Sequence, residues 1–288
     1  MIVVRIIGGL GNQLFQYATA RALADACGEE LYLDCRGFAG YDLRNFTLGR
    51  FNIRARIADE TVQRRFPEWQ RRVGRRLPFR EGRLGSWLFE KHLMFYPDLM
   101  ARGGDLFLDG YFQWERYFLG REDAIRADLT LRGELPPSVR EMEMQIRSAP
   151  ALAIHVRRGD YVANAVNQRM FGSCSPDYYR HALAHVREQV GPVRLFIFSD
   201  DQAFARTLFA DQPDAVFIDG SHDDPADDMY LMSCCDHHII ANSSFSWWGA
   251  WLGRAPGQVV VAPEPWFDWP AFAGVELAAE GWHRITKS

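Results

Sequence analysis

The sequence predicts an α/β protein built on a parallel, doubly wound sheet. Three observations lead to this fold class. Short apolar segments, such as Leu152–Val156 and Leu195–Phe198, have the length of buried strands. Longer amphipathic segments of helical spacing, such as Asp177–Val190, stand between them. Polar motifs directly follow the strands, and the carboxyl edge of a parallel sheet is where ligands bind.

The N-terminal half opens with a predicted strand at Ile2–Ile7, a glycine-rich loop and a predicted helix at Asn12–Cys27. One face of that helix is apolar at helical spacing, at Leu14, Phe15, Ala18 and Ala22. Two further apolar segments, each ending at an aspartate, are predicted strands: Leu31–Asp34 and Leu106–Asp109.

Prolines at 136, 137 and 150 mark a break in the chain. We therefore predict an N-terminal domain over residues 1–149 and a C-terminal domain over 150–288. Strands and helices alternate regularly after the break. The predicted strands are Leu152–Val156, Leu195–Phe198, Val216–Asp219, His238–Ala241 and Val259–Ala262, and the predicted helices are Asp177–Val190, Ala226–Cys235 and Phe245–Leu252.

The composition is that of an ordinary globular protein and gives no sign of a nucleic-acid partner. The 288 residues are 48% hydrophobic and 24% charged, with a net charge of −4. No apolar run approaches the ~20 residues of a membrane helix. The apolar start, Met1–Ile7, passes directly into glycines without a small-residue cleavage site, so we interpret it as a strand and not as a signal peptide.

Five cysteines are scattered along the chain, and no two have CxxC spacing. Their odd number argues against a disulfide framework, and their spacing argues against a zinc site. These features predict a protein of a reducing compartment, the cytoplasm.

The first candidate site is the loop Gly8-Gly9-Leu10-Gly11-Asn12-Gln13, between the first strand and the first helix. It lacks the Gly-Lys-Ser/Thr of a P-loop, which weakens a kinase interpretation. It also lacks the third glycine of a dinucleotide fingerprint. Glycines allow close approach of a ligand, and a helix start attracts anions, so Gly9, Gly11, Asn12 and Gln13 are candidate ligand-binding residues. The alternative is a tight strand-to-helix turn.

The second candidate site, His155-Val-Arg-Arg-Gly-Asp-Tyr161, follows a predicted buried strand. Two arginines at a strand end are costly without an anionic partner, and a guanidinium suits phosphate oxygens. Side chains alternate along an extended chain, so one of Arg157 and Arg158 can reach a ligand while the other holds Asp160 or a neighbouring loop. The alternative is a structural Arg–Asp pair.

The third candidate site, Asp200-Asp201, follows the next predicted strand. A carboxylate there can accept hydrogen bonds from guanine or from ribose hydroxyls, or it can cap the next helix. The two adjacent acids lack the spacing of a metal site, and His237 and His238 are interpreted as structural residues at a strand edge. We therefore predict no metal.

The fourth candidate site, Asn242-Ser243-Ser244-Phe245-Ser246, joins a predicted strand to a predicted helix. Unpaired N–H groups and the positive dipole end at the helix start, with added hydroxyls, predict a diphosphate-binding site without lysine. The tryptophans that follow have helical spacing and are predicted to be core residues.

Four segments of the sequence resemble the bacterial and animal α-1,2-fucosyltransferase family. They are Gly-Gly-Leu-Gly-Asn-Gln-Leu-Phe-Gln-Tyr over 8–17, Gly-Tyr-Phe-Gln over 110–113 with Tyr117-Phe118, the 155–161 motif, and Asn-Ser-Ser-Phe-Ser-Trp-Trp-Gly over 242–249. They stand in the family's order and span nearly the whole chain. The His-x-Arg-Arg-x-Asp element is also similar to that of α-1,6- and protein O-fucosyltransferases.

The resemblance implies a GT-B fold, with two Rossmann-like domains facing across a cleft. It implies an inverting, metal-independent transfer of L-fucose from GDP-β-L-fucose, with no cofactor besides this donor. The acceptor would be the 2-hydroxyl of a terminal galactose in an oligosaccharide or glycolipid. The rival classes are an α-1,6-fucosyltransferase and a non-catalytic sugar- or nucleotide-binding protein.

The resemblance also implies roles for individual residues. Arg157 would neutralise the leaving β-phosphate, Asp200 would contact guanine or ribose, and the segment 243–246 would hold the phosphates. From the N-terminal domain, Gly9–Gln13 and Tyr111–Gln113 would close on the sugar and the acceptor. The catalytic base stays open among Asp160, His155, a residue such as Asp42, and the departing phosphate.

An arginine-rich stretch between Arg64 and Arg83 matches no family motif. It has two interpretations: a solvated helical face, or a patch that contacts anions or lipid headgroups on a peripheral membrane enzyme. Under the second, the protein would associate with the inner membrane from the cytoplasm.

Overall fold

The computed structural model describes residues 1–39, 45–76, 82–91, 93–159, 164–218 and 224–288. The chain divides into two compact units, Met1–Arg132 and Gly133–Ser288. This division precedes the predicted boundary at 149/150. The helix Pro137–Ile146 explains the difference, because its Val139 and Ile146 pack into a core of the C-terminal unit.

The N-terminal unit contains a six-stranded sheet in the order β3-β2-β1-β6-β5-β4. All neighbouring strands are parallel except β4 and β5. The strands are β1 Ile2–Arg5, β2 Leu31–Asp34, β3 Arg56–Ile57, β4 Gly82–Leu84, β5 Trp87–Phe89 and β6 Leu106–Asp109, and the helices are α1 Leu10–Cys27, α2 Glu60–Arg64, α3 Glu68–Arg76 and α4 Glu122–Asp128.

Helix α1 is buried along most of its length and is fixed by polar contacts as well as packing. The Tyr17 hydroxyl donates to Asp128 Oδ2 at 2.7 Å, and Arg21 Nε donates to the same oxygen at 2.9 Å. The helix ends at Gly28, whose φ of 66° is the left-handed conformation that glycine adopts without steric cost. The middle of α1 is therefore fixed to the end of α4.

The C-terminal unit contains a second six-stranded sheet, in the order β12-β11-β10-β7-β8-β9, with all neighbouring strands parallel. The strands are β7 Ala151–Val156, β8 Arg194–Ser199, β9 Val216–Ile218, β10 His237–Ile239, β11 Val260–Glu264 and β12 His283–Thr286. The helices are α5 Pro137–Ile146, α6 Ala165–Phe171, α7 Pro176–Val190, α8 Gln202–Leu208, α9 Pro225–Ser233 and α10 Ser244–Leu252.

Strand β7 is buried throughout and supplies both cores of this unit. Leu152, Ile154 and Val156 pack on one face of the sheet, whereas Ala151 and Ala153 pack on the other. This alternation is the two-residue period of a strand covered by helices on both faces.

The predicted fold class is confirmed, and each predicted strand and helix has a counterpart, with ends that differ by a few residues. Asp219, predicted as a strand end, lies outside the described residues. His237 and His238 are buried in β10, an interior strand, so their placement at a strand edge was wrong. Trp247, Trp248 and Trp251 are core residues as predicted. None of the helices in the described ranges is long and apolar enough to cross a membrane.

Candidate active site

The strand order of the C-terminal sheet brings three of the predicted motifs to one edge. From β7 the chain moves outward to β8 and β9, then returns to place β10 on the other side of β7. Such a reversal opens a crevice at the carboxyl ends of the two central strands. Arg157 follows β7, Ser243 follows β10 and Asp200 follows β8 at this edge.

Arg157 and Asp200 form an ion pair at this edge. Arg157 Nη1 lies 2.8 Å from Asp200 Oδ2, and Asp200 Oδ1 accepts the backbone N–H of Arg158 at 2.8 Å. The two side chains remain 22% and 27% exposed, so a ligand can reach them. A carboxylate has about four acceptor positions, so Asp200 keeps capacity for further hydrogen bonds.

Arg158 points to a different partner. Its Nε donates to Asp201 Oδ2 at 3.1 Å, and its guanidinium lies 3.8 Å from the centre of the Phe204 ring. Asp201 in turn accepts the N–H of Phe204 and caps α8. Arg158 therefore supports the start of α8, and its role in binding the donor stays a prediction.

Gly159 allows the close approach of Asp200. A Cβ at position 159 would lie 2.7 Å from Asp200 Oδ2, which is closer than Cβ atoms in proteins come to other heavy atoms. Any side chain at this position would displace the carboxylate that pairs with Arg157.

His155 is buried beneath this edge, with its ring centre 5.7 Å from that of Phe245. Its Nδ1 has no hydrogen-bond partner among the residues that the structure describes. Burial, and secondly the charge of Arg157, lower the pKa of His155 to about 4. A neutral imidazole with such a low pKa is a weak proton acceptor, so the prediction of His155 as catalytic base loses support.

The start of α10 is the second element of this edge. Ser243 caps the helix, with its hydroxyl oxygen accepting the N–H of Phe245 at 3.3 Å, and Ser244 is half-buried. Ser246 is fully buried and its hydroxyl donates to the carbonyl of Ala241, so it does not present a donor as predicted. The dipole of α10 and the amides of its first turn make this helix start attractive to an anion.

Asn242 supports this turn from inside the protein. Its side chain is 1% exposed, and its Nδ2 donates to the carbonyls of Phe171 and Trp266 at 2.7 and 3.1 Å. This corrects the prediction of Asn242 as a donor-binding residue, because its amide joins α6 and the segment after β11 to the end of β10.

The N-terminal sheet has the same reversal, between β1 and β6. Gly8 adopts a φ of 80°, and a Cβ there would lie 2.7 Å from Asn12 Nδ2. Asn12 Oδ1 accepts from Gln113 Nε2 at 2.7 Å and so joins the glycine loop to the segment after β6. Gly9 precedes α1 as its N-cap, and Gly11 is buried in the first turn.

Gln13 is the main correction in this loop. Its side chain is fully buried, with Nε2 donating to the carbonyls of Gly8 and Asn45 and Oε1 accepting the N–H of Thr47. Both ends of the amide are therefore engaged within the protein. Gln13 holds the loop in shape and does not face a sugar.

Glu90 is a site residue that the sequence analysis missed. It follows β5, and its Oε2 accepts the N–H groups of Tyr111 and Phe112 at 2.6 and 3.0 Å. Phe112 has a φ of 52°, a left-handed conformation that is costly for an aromatic residue. Glu90 Oε1 is buried without a hydrogen-bond partner in the described part of the chain, and burial raises the pKa of Glu90 to about 7.

Two predicted acids and a tyrosine cannot be placed in this site. Asp160, Asp42 and Tyr161 lie outside the described residues. Within the described ranges, no group of three or more His, Cys, Asp or Glu is arranged to hold a metal ion.

Solved structures with the same fold include the fucosyltransferase NodZ from Bradyrhizobium, with a TM-score of 0.54 and 17% identity over 88% of this chain and 92% of that chain. POFUT1 in complex with GDP-fucose matches with a TM-score of 0.50 and 13% identity, over 91% and 97% of the two chains. At these identities the likeness shows the fold, which is of the GT-B type. The two parallel sheets, each with a switch point, thus define a protein of the GT-B fold class.

The chain belongs to glycosyl transferase family 11, whose profile matches residues 88–285. It is 33% identical to an α-1,2-colitosyltransferase of Escherichia coli, over all of this chain and 99% of the relative. The O-antigen biosynthesis glycosyltransferase WbnK of Escherichia coli is 32% identical over 90% and 93% of the two chains. Galactoside α-(1,2)-fucosyltransferase 2 of Oryctolagus cuniculus is 27% identical over 88% and 67%. The predicted family resemblance is confirmed.

Proposed function

We propose that this protein transfers L-fucose from GDP-β-L-fucose to the 2-hydroxyl of a terminal galactose in an oligosaccharide or glycolipid acceptor. One observation carries the proposal: a partly exposed arginine and a capped helix start follow the two adjacent strands, β7 and β10, at the switch point of the C-terminal sheet. Both groups favour a diphosphate. Relatives named as α-1,2-fucosyltransferases support the sugar and the linkage.

The proposed chemistry separates charge, and these groups stabilise it. Breaking the fucose–phosphate bond leaves positive charge on the sugar and negative charge on GDP. Arg157 and the start of α10 would stabilise the leaving diphosphate, which makes the reaction independent of a metal. The acceptor hydroxyl would attack from the opposite face of the sugar, with inversion. The departing phosphate or Asp160 would take its proton.

We assign the two halves of the reaction to the two units. The C-terminal unit would bind GDP-fucose through Arg157, Asp200 and the cap at Ser243. The N-terminal unit would bind the acceptor through the glycine loop and Tyr111–Gln113. The hydrogen bond between Gln113 and Asn12 supports a joint role of these two segments.

Nucleotide binding and product linkage test this proposal separately. Thermal shift with GDP, UDP, ADP and CMP should give selective stabilisation by GDP. Incubation with GDP-fucose and lactose should release GDP, and NMR of the product should show fucose on O2 of galactose. Stronger stabilisation by UDP would contradict the proposal that the donor is a GDP-sugar. A linkage to O6 would point to an α-1,6-fucosyltransferase. Binding of GDP without turnover of any galactoside would point to a binding protein.

A second candidate donor is GDP-colitose, because a relative that is 33% identical over the full length is named a colitosyltransferase. Colitose is L-fucose without its 3-hydroxyl. A site that hydrogen-bonds a hydroxyl discriminates strongly against the analogue that lacks it. We expect kcat/KM to favour GDP-fucose by roughly tenfold or more, as measured by GDP release at equal, low donor concentrations. The reverse preference would identify a colitosyltransferase.

We further propose that the protein acts in the cytoplasm. Its five cysteines are free thiols in the structure, which supports a reducing compartment. Fractionation of the producing cells, with immunodetection of the protein, tests this location.

A further inference from the structure

Helix α3, which lies within the arginine-rich stretch, has an inner face that packs on the sheet and an outer face that is exposed. On the inner face, Arg71 Nε and Arg75 Nη2 contact the buried carboxylate of Asp109 at 3.1 and 2.7 Å. Gly74 packs directly on Phe89, where a Cβ would lie 2.2 Å from the ring. These contacts fix α3 at the carboxyl end of β6 and leave the opposite face outward.

The outer face combines exposed apolar and basic side chains. Trp69, Arg72, Val73 and Arg76 follow the i, i+3, i+4, i+7 spacing of one helix face. Trp69 is 59% exposed and Val73 43% exposed. Arg72 and Arg76 are also exposed, and neither forms an ion pair with any residue that the structure describes.

The contrast with the other arginines of this stretch is informative. Arg64 pairs with Glu60 and Arg65 with Asp105, as Arg71 and Arg75 pair with Asp109. Among the arginines of this stretch whose side chains the structure describes, Arg72 and Arg76 are thus the two without a carboxylate partner, and they share a helix face with Trp69 and Val73. Within the described part of the N-terminal unit, their charge is therefore not balanced by a carboxylate.

We propose that the outer face of α3 docks on an anionic lipid bilayer. A tryptophan with an apolar body and a polar N–H suits the interface between headgroups and acyl chains. Arginines beside it reach the phosphates of the headgroups while their stems lie along apolar surface. Two apolar side chains are far too small for a stable protein interface, which buries roughly 1,600 Å² in total, but they suffice for shallow insertion beside basic residues.

The position of α3 gives this docking a functional consequence. Asp109, which holds α3, directly precedes Gly110 and the segment Tyr111–Gln113. If the proposed acceptor role of that segment holds, a docked α3 brings the acceptor-binding edge of the N-terminal sheet close to the membrane surface. The acceptor saccharide would then be carried on a lipid.

Vesicle flotation with the full-length protein tests the docking. The probes are vesicles of phosphatidylcholine alone and of phosphatidylcholine mixed with phosphatidylglycerol. We expect binding only to the anionic vesicles, weakening as NaCl rises. Replacing Arg72 and Arg76 together by Gln should weaken binding roughly thirtyfold, at about 1 kcal/mol per arginine. Trp69→Ser should also weaken binding and should abolish the blue shift of tryptophan fluorescence on vesicle addition.

Matched controls separate docking from charge and from catalysis. Replacing Arg132 and Arg140 by Gln removes the same charge from exposed positions elsewhere and should leave vesicle binding unchanged. All α3 variants should keep the melting temperature and the GDP release on lactose. Three results would overturn the proposal. The Arg72/Arg76 variant could bind anionic vesicles as strongly as the wild type, or the wild type could bind neutral and anionic vesicles equally. The third is retention of the protein by an acidic protein or a nucleic acid but not by anionic vesicles. Vesicle binding by a protein that turns over no GDP-sugar would leave it standing and refute only the proposed reaction.

Discussion

Two adjacent arginines at the end of β7 have different partners because an extended chain points successive side chains to opposite sides. Arg157 reaches Asp200 at the ligand-accessible edge, and Arg158 reaches Asp201 and Phe204 at the start of α8. The two acids after β8 also have different partners: Asp200 pairs with Arg157, whereas Asp201 pairs with Arg158 and caps α8. The end of one strand thus supplies both a partly exposed arginine, to which we assign the donor diphosphate, and the support of a neighbouring helix.

Arg157→Ala and Arg158→Ala should therefore have different kinetic effects. Loss of Arg157 removes the proposed stabilisation of the leaving diphosphate and should lower kcat by about 10²–10³. Loss of Arg158 removes only a support of α8 and should lower kcat less than tenfold. Initial rates of GDP release, with circular dichroism as the fold control, distinguish the two. Equal losses, or near-full turnover without Arg157, would contradict the assignment.

Glu90 allows a second test at this scale. Glu90→Ala leaves the N–H groups of Tyr111 and Phe112 without their acceptor, so KM for the acceptor should rise about tenfold while KM for GDP-fucose is unchanged. Glu90→Gln keeps an acceptor oxygen and should restore KM to within about threefold. This positioning role would be wrong if Glu90→Gln lost 10²-fold or more in kcat, as expected of a catalytic base.

Several of these residues show where sequence reasoning stops. The chain order predicted that polar side chains follow buried strands, but not whether each points out to a ligand or in to the backbone. Gln13 and Asn242 point inward because carbonyl groups of distant segments lie beside them. Glu90 was missed because β5 is too short to stand out as a strand.

At the scale of elements, the start of α10 depends on its cap. Ser243→Ala removes the acceptor for the N–H of Phe245 and should lower the free energy of unfolding by about 1 kcal/mol. Because the same turn would hold the phosphates, the variant should also bind GDP more weakly. Chemical denaturation and calorimetric titration with GDP measure the two effects.

Ser175 provides the matched control, since it caps α7 of the same unit by accepting the N–H of Tyr178. Ser175→Ala should lower stability by a similar amount and leave GDP affinity unchanged. Parallel losses of GDP affinity in both variants would assign the effect at Ser243 to stability alone.

Long or strongly apolar elements were predictable, and short edge elements were not. Strand β7 and helix α7 have clear periods, so their positions followed from the sequence. Strand β12, His-Arg-Ile-Thr, is largely exposed at the sheet edge and has no apolar alternation. Strand β3 has only two residues, both exposed, and is defined by its pairing with β2.

At the scale of the whole molecule, each unit repeats one solution. In each unit a polar loop follows the central strand at the point where the strand order reverses, and a second polar segment follows the neighbouring strand. The central and neighbouring strands are β1 and β6 in the N-terminal unit, and β7 and β10 in the C-terminal unit. The sequence predicted the parallel sheet of the C-terminal half. The strand order itself depends on which distant strands pair, and no local pattern encodes that pairing.

We expect the buried His238 to make the stability of the molecule sensitive to acid. Burial lowers the pKa of His238 to about 4, and its ring is held by Met232 and Gln258. The unfolded chain takes up a proton near pH 6.5, whereas the folded chain resists protonation until about pH 4. The stability that neutral His238 contributes is thus present above pH 6.5 and is lost as the pH falls towards 4, by on the order of 3 kcal/mol.

The variant His238→Gln tests this dependence. It should have a lower free energy of unfolding than the wild type at pH 7.5, and the difference between the two proteins should be smaller at pH 4.5. Urea denaturation across this pH range measures the free energy of unfolding of both proteins. Their difference is free of the effect of carboxyl groups, because these titrate in the same way in both proteins. A gap that stays constant or widens in acid would show that His238 does not carry the effect.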